Sequence, residues 1–260
     1  MQSPSIDLQQ SLLSELECPV CMEYMVPPII LCVNGHNICN ICRPKIPHCP
    51  TCRQQFLSTR NVALEKLARD VKYPCSYQKY GCKEVFVHDT VREHQHRCHY
   101  RPQTCPAYKL PNLQCSWTGI YDDVKKHLME NHRGECYEYV AGKFRAMKGI
   151  APFMSVSQFV FALNEVFFLR FQANNNTLYV VVLYVGPAEN AAKYKYKVKF
   201  VNKDDTVSIA VMHLTRSFDE NLDDIFRSGN CLKLHYDVVN RLATKESGLK
   251  FQTEIFRVGD

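Results

Sequence analysis

Apolar and polar positions alternate along the C-terminal half of the chain. Tyr194-Lys-Tyr-Lys-Val-Lys-Phe200 keeps a strict period of two and puts Lys195, Lys197 and Lys199 on one face. Leu232-Lys-Leu-His-Tyr-Asp-Val238 alternates as well, and β-branched and aromatic residues fill Val156 to Leu163, Val166 to Phe171 and Leu178 to Val185. Turn residues punctuate these runs at Asn174-Asn-Asn176, Gly186-Pro187, Asn202-Lys-Asp-Asp205 and Ser247-Gly248. One helix interrupts them. Ser217-x-x-Glu220 reads as a capping box, Leu222, Ile225 and Phe226 as an apolar stripe, and Gly229 as a stop. The pattern predicts an antiparallel β-sandwich over residues 135–260.

The front half has little alternation. Its clearest periodic stretch follows Asn61, an N-cap candidate, where Leu64, Leu67, Ala68 and Val71 recur at helical spacing until Tyr73-Pro74. Cysteine placement changes the picture most: 13 of the 14 lie in the first 136 residues. The opening Met1-Gln2-Ser3-Pro4-Ser5-Ile6-Asp7 has neither a basic nor an apolar region, so no secretory signal is expected there. No apolar run reaches membrane-spanning length. The expectation is a reduced, cytoplasmic and also nuclear chain in which clustered Cys bind metal and the Asn175-Asn176-Thr177 sequon is idle. Net charge is +6, too small to demand nucleic acid and giving no reason for a membrane partner.

Cys18, Cys21, Cys32, His36, Cys39, Cys42, Cys49 and Cys52 place eight potential ligands in one short segment. Such a segment cannot fold on apolar burial alone, and structural zinc supplies on the order of 10–16 kcal/mol per site. Two further four-ligand sets follow: Cys75, Cys82, His94 and Cys98, then Cys105, Cys115, His127 and His132. In each, a Cys pair precedes a helix carrying the second pair; Asp89 or Thr90 would cap the first helix and Asp122 the second. His94 and Cys98, at i and i+4, would share a helix face, and His132 would lie just past the second helix end. His88, His96 and His99 are spare histidines, and Cys136 and Cys231 are left as free thiols. Sixteen ligands make four structural zinc ions per chain. The wide Cys spacings depart from DNA-reading fingers and speak against nucleic acid.

The order of the first eight ligands resembles a RING finger. Cys18-Pro-Val-Cys21, Arg43-Pro-Lys, Cys49-Pro-Thr-Cys52-Arg, Lys72-Tyr-Pro-Cys75 and His127-Leu-Met-x-x-His132 resemble the Seven in absentia family of RING-type ubiquitin ligases. That resemblance implies a cross-brace, with Cys18, Cys21, Cys39 and Cys42 on one zinc and Cys32, His36, Cys49 and Cys52 on the other. It implies a surface for a ubiquitin-conjugating enzyme at Val20, Ile46, Pro47 and Pro50, and a linchpin at Arg53 with no thioester on this chain. It implies a dimeric TRAF-like sandwich that takes protein substrates as extended peptides, with Phe159 standing where the family has a groove Trp. The expected organisation is a tail over 1–17, RING over 18–53, a linker helix over 54–74, a double zinc finger over 75–134 and the TRAF-like sandwich over 135–260. A non-catalytic adaptor and a nucleic-acid-binding zinc protein are the alternative readings.

Overall fold

A computed structural model describes residues 8–111, 113–148, 151, 153–174, 176–244 and 248–259, and the chain divides into two compact units, Met1–Arg101 and Pro102–Asp260. Asn175 and Ser247, named above in turns, lie outside the described residues.

In the first unit, helix α1 (Leu8–Glu15) precedes a three-stranded antiparallel sheet of order β2-β1-β3, with β1 at Ile29–Cys32, β2 at Asn37–Cys39 and β3 at Phe56–Arg60. Helix α1 occupies part of the expected tail. Leu13 and Leu16 are buried in the same apolar cluster as Met25, Ile29 and Ile38. Helix α2 (Val62–Asp70) starts where Asn61 predicts it, the Asn61 side chain accepting the Leu64 N–H at 3.1 Å. Its inward face differs from the apolar stripe, because Leu67 is 45% exposed while Glu65 is buried. Strands β4 (Lys72–Pro74) and β5 (Val85–Val87) pair antiparallel, and helix α3 (His88–Arg97) follows. Ala68, Tyr73 and Val91 join the first cluster, so the linker helix and the first finger share one core with the β1–β3 sheet.

In the second unit, the short hairpin β6 (Gln103–Thr104) and β7 (Thr118–Gly119) leads to helix α4 (Tyr121–Asn131). Strand β8 (Cys136–Glu138) and strand β9 (Arg145–Met147) then open the sandwich. Its body is β10 (Ser155–Ala162), β11 (Glu165–Asn174), β12 (Thr177–Tyr184), β13 (Tyr194–Val201), β14 (Ser208–Leu214), β15 (Arg216–Ser217), helix α5 (Leu222–Ser228), β16 (Leu232–His235), helix α6 (Tyr236–Leu242) and β17 (Leu249–Arg257). One sheet runs β15-β12-β11-β10-β8, with β16 also on β12, and the other runs β14-β13-β17-β9. Most pairs are antiparallel as expected, but β8 joins β10 and β15 joins β12 in parallel.

Two sequence readings of this half need correction. Alternation through Leu232–Val238 stops at His235, because His235 accepts the Asp237 N–H and starts α6, which buries Val239 and Leu242. Half of the Ser217–Glu220 box forms: Glu220 Oε1 accepts the Ser217 N–H at 2.9 Å, but the Ser217 hydroxyl accepts the Asp219 N–H and the pair closes a turn. The N-cap of α5 is Asn221, whose side chain accepts from Asp223 and Asp224.

Apolar residues fill both sides of the first sheet. Val160, Phe167, Leu169, Val180 and Val182 face the other sheet, packing on Tyr196, Val198 and Phe200. Phe159, Phe161, Phe168, Val181 and Leu183 face the opposite way, toward Val124 and Leu128 of α4 and toward Ile225 and Phe226 of α5. The second finger therefore completes a core with the sandwich, and this is the physical reason that Phe159 has no exposed surface.

Candidate metal centres

Two turns of the same construction open the first and close the second RING-like site. Cys18 and Cys49 each begin a C-x-x-C knuckle in which backbone N–H groups turn toward sulfur. Burial raises the Cys18 thiol, but the N–H groups of Cys21, Cys39 and Val20 outweigh it and pull it down to about 7. Sulfur crowding acts in the opposite direction elsewhere: burial and the neighbouring sulfurs of Cys39 and Cys21 push Cys42 up to about 12. Four sulfurs so close resist ionising together unless a cation balances them.

The donors converge in four groups, namely Cys18, Cys21, Cys39 and Cys42; Cys32, His36, Cys49 and Cys52; Cys75, Cys82, His94 and Cys98; and Cys105, Cys115, His127 and His132. Within each group the donor atoms lie within 4.8 Å of one another. Tetrahedral zinc, with Zn–S about 2.3 Å and Zn–N about 2.0–2.1 Å, sets S···S edges near ~3.8 Å and S···N edges near ~3.6 Å. Observed S···S separations are 3.9 Å for Cys21–Cys39, 3.7 Å for Cys32–Cys52 and 3.8 Å for Cys75–Cys98. The S···N separations are 3.4 Å for Cys32–His36, 3.4 Å for Cys82–His94, 3.3 Å for Cys105–His132 and 3.6 Å for Cys115–His127. Donor chemistry and spacing fit four structural zinc ions, with four protein ligands at each and no position left open for substrate.

The fingers depart from the expected local structure. Cys98 is not in the helix with His94; it caps the end of α3 in an extended conformation, while His94 sits in the last turn. Neither Asp89 nor Asp122 caps a helix. The N-caps are Val87 and Ile120, and both acids lie in first turns, where they favour the helix dipole. His132 lies just past the end of α4. His88, His96 and His99 are in none of the four groups. Trp117, the single Trp of the chain, lies flat on the His127 ring at 4.3 Å and 8°, a contact the spacing alone does not reveal. Asn131 Nδ2 lies 3.2 Å from His127 Nδ1, on the ring edge opposite the ligating Nε2. Cys136 bonds the His132 carbonyl at 3.2 Å, and Cys231 is buried in the sandwich.

Residues named for protein contacts fall in two classes. Val20 is 40% exposed, and Pro47, Pro50 and Arg53 are exposed too. Ile46 is half-buried, and its loop is held by Arg43, which donates to the Ile46 carbonyl at 3.2 Å and lies 4.6 Å over the Phe56 ring. Phe159 stands apart: sealed between Phe168 and the second finger, it cannot touch a docked peptide as it lies, which corrects its placement in a groove. The exposed aromatic of that stretch is Phe153, 79% exposed just ahead of β10.

Comparison with known proteins matches three family models in chain order. They are the RING finger of E3 ubiquitin-protein ligase sina/sinah over residues 18–52, the Sina zinc finger over 66–139 and the Sina TRAF-like domain over 156–253. The chain is 34% identical over 203 residues to E3 ubiquitin-protein ligase sina of Schistosoma mansoni, covering 76% of this chain and 53% of that protein. It is 34% identical over 206 residues to E3 ubiquitin-protein ligase siah2 of Xenopus laevis, covering 75% and 64%. With E3 ubiquitin-protein ligase sina of Drosophila melanogaster it shares 43% over 126 residues, covering 48% and 39%. The chain spans about half the length of the curated relatives it matches.

Proposed function

We propose that this chain, which belongs to the Seven in absentia family, is a RING-type ubiquitin-protein ligase. The observation that carries the reading is the pair of closed, interleaved four-donor sites over Cys18–Cys52, with Val20, Pro47, Pro50 and Arg53 exposed on and beside the metal loops. Closed sites do no hydrolysis; they hold a surface rigid. That surface would take a ubiquitin-conjugating enzyme at Val20, Ile46, Pro47 and Pro50. Arg53 would present its planar guanidinium to enzyme and ubiquitin together, a geometry Lys cannot copy. The chain itself forms no thioester. It holds a charged conjugating enzyme beside a substrate Lys and restricts the thioester to reactive poses. Modified substrates would pass to the proteasome.

The sandwich would supply the substrate. Strand β8 pairs with β10 only from Phe159 to Phe161, which leaves Ser155 to Gln158 with a free backbone edge among the described residues. Phe153 stands exposed at the head of that edge. An extended substrate segment adds there as a strand, main-chain bonds giving affinity and side-chain contacts giving selection. A homodimer through the sandwich doubles the local number of RING and substrate sites. The chain would work in a reducing compartment, cytoplasm or nucleus, where thiol ligands persist.

The test is reconstitution of the zinc-loaded chain with activating enzyme, conjugating enzyme, ubiquitin and ATP. Self-modified ladders are expected from the native chain and none from Cys42→Ser. Absence of any product across a panel of conjugating enzymes overturns the ligase reading and leaves the adaptor and nucleic-acid readings. Light scattering is expected to give twice the chain mass at micromolar concentration; a monomer removes the dimer.

A further inference from the structure

Two arginines of the sandwich carry charge that no acidic group among the described residues balances. Arg170 of β11 donates from Nη1 to Ser157 Oγ at 3.0 Å, and from Nε and Nη2 to Gln172 Oε1 at 3.3 and 3.0 Å. Arg145 of β9 is packed on the rings of Tyr137 and Phe251, at 4.0 and 4.8 Å from their centroids, and donates to Gln158 Oε1. Every acceptor is neutral. Among the described residues neither guanidinium has a carboxylate within ion-pair distance. Burial lowers the pKa of both, and only the Tyr137 hydroxyl opposes this, at Arg145. Half-buried guanidinium groups are ordinarily paired, because a charge taken out of water without a partner is costly.

The two arginines reach adjacent residues of the same strand, Arg170 to Ser157 and Arg145 to Gln158. Ser157 and Gln158 are consecutive in β10, so their side chains leave on opposite faces of the sheet. Arg170 therefore stands on one face of this stretch and Arg145 on the other. The stretch is also where β10 lacks a neighbour. Phe161 O accepts the Tyr139 N–H on the β8 side, and antiparallel alternation turns the N–H and C=O of Ser157 and Ser155 toward that same open edge.

A strand added to this edge would run about 4.8 Å from β10 and alternate its side chains across the two faces. The residue opposite Ser157 points to the Arg170 face, and its neighbour to the Arg145 face. We infer that the open edge of β10 selects extended peptides with two consecutive acidic residues, one carboxylate meeting Arg170 beside Ser157 and the next meeting Arg145 beside Gln158. This rests on the strand-addition reading above and adds the chemistry of what is selected. The Arg170 fork suits a carboxylate in the sheet plane, and its present bonds to Ser157 and Gln172 hold it ready. Neutral or basic pairs at these two places would leave both guanidinium groups desolvated and unpaired.

The experiment is fluorescence anisotropy on the full zinc-loaded chain with three labelled, otherwise identical extended peptides whose central pair is Glu-Glu, Gln-Gln or Lys-Lys. The Glu-Glu peptide is expected to bind ~10-fold tighter than Gln-Gln, with Lys-Lys weaker still. Raising salt from about 50 to about 300 mM should shrink that advantage, because charge pairs at an edge are screened. Arg170→Gln should erase most of the preference for Glu-Glu over Gln-Gln, and an unchanged ratio overturns the role of Arg170. Arg170→Lys should retain part of it. Equal binding of Glu-Glu and Gln-Gln overturns acidic selection and leaves strand addition standing. No binding by any of the three peptides overturns strand addition itself, and this inference with it.

Discussion

Met22 and Arg53 occupy the same backbone position in two different metal knuckles. Both are left-handed, with φ of 59° and 62°. Each donates its N–H to the carbonyl of the first Cys of its knuckle, Met22 to Cys18 at 2.9 Å and Arg53 to Cys49 at 2.8 Å. The Cys N–H returns a bond to the carbonyl one residue further on, Cys18 to Glu23 and Cys49 to Gln54, both at 2.9 Å. A side chain at such a φ is strained, and here both residues are long.

The pair separates structural from functional cost. Met22→Gly and Arg53→Gly should each stabilise the RING by about 0.5–1 kcal/mol, since Gly takes this conformation freely. Arg53→Gly and Arg53→Ala should nevertheless lower ubiquitin transfer by roughly ten- to hundred-fold through loss of one charge-assisted contact. Thermal melts and single-turnover discharge of a charged conjugating enzyme read the two effects apart. Unchanged discharge by both Arg53 variants makes Arg53 an ordinary surface residue.

Zinc content should be four per chain by elemental analysis after a mild chelator wash. Cys105→Ser should give three, with the loss confined to the second finger and with loosening of the sandwich core it shares. A native ratio of two would confine metal to the RING.

Glu65 is buried and accepts the Ile29 N–H at 3.0 Å, with Arg60 Nε 3.7 Å away. This ties α2 to β1. Glu65→Ala leaves a buried N–H unsatisfied and should cost about 1–3 kcal/mol. Hydrogen exchange at Ile29 should quicken. Unchanged protection there would show that the bond contributes nothing.

Glu165 gathers three phenols: Tyr121 at 2.5 Å and Tyr184 at 3.1 Å on one oxygen, and Tyr194 at 3.0 Å on the other. Tyr121 belongs to the second finger and the others to the sandwich, so one carboxylate joins the two. Glu165→Gln keeps the shape but replaces one acceptor oxygen by a donor, at a cost of about 1–2 kcal/mol. Far-ultraviolet melts should show the loss with zinc content intact.

Gly119 has no room for a Cβ, which would come within 2.4 Å of the Trp117 ring. Gly119→Ala should push Trp117 off His127, shift the fluorescence of the sole Trp and weaken zinc retention at that finger alone. An unshifted spectrum would show that the hairpin yields instead.

The metal sites were legible because zinc writes its demand in residue type and short spacing. The strands around Val160, Phe168 and Val182 were legible because β-branched and aromatic residues fill them, and β13 because lysines alternate with apolar residues along it. Glu65 was not, since the group that draws it inward is a backbone N–H 36 residues away that has no signature in the sequence. Phe159 looks like any aromatic of a strand, and only the position of α4 decides that it is covered. Helix α1 has few apolar positions, and its burial depends on Met25 and Ile38 from elsewhere.

Composition alone presents the two fingers as one tandem module, yet the first shares a core with the RING segment and the second with the sandwich. Val124 and Leu128 of α4 lie in one buried cluster with Phe168, on the face of the first sheet that turns away from the second. For recombination, the tolerated joint then falls near Arg101 and Pro102, between the fingers. A chimera that exchanges the C-terminal unit inherits the second finger with it, whereas one spliced at residue 135 strips away part of the buried core it means to transplant.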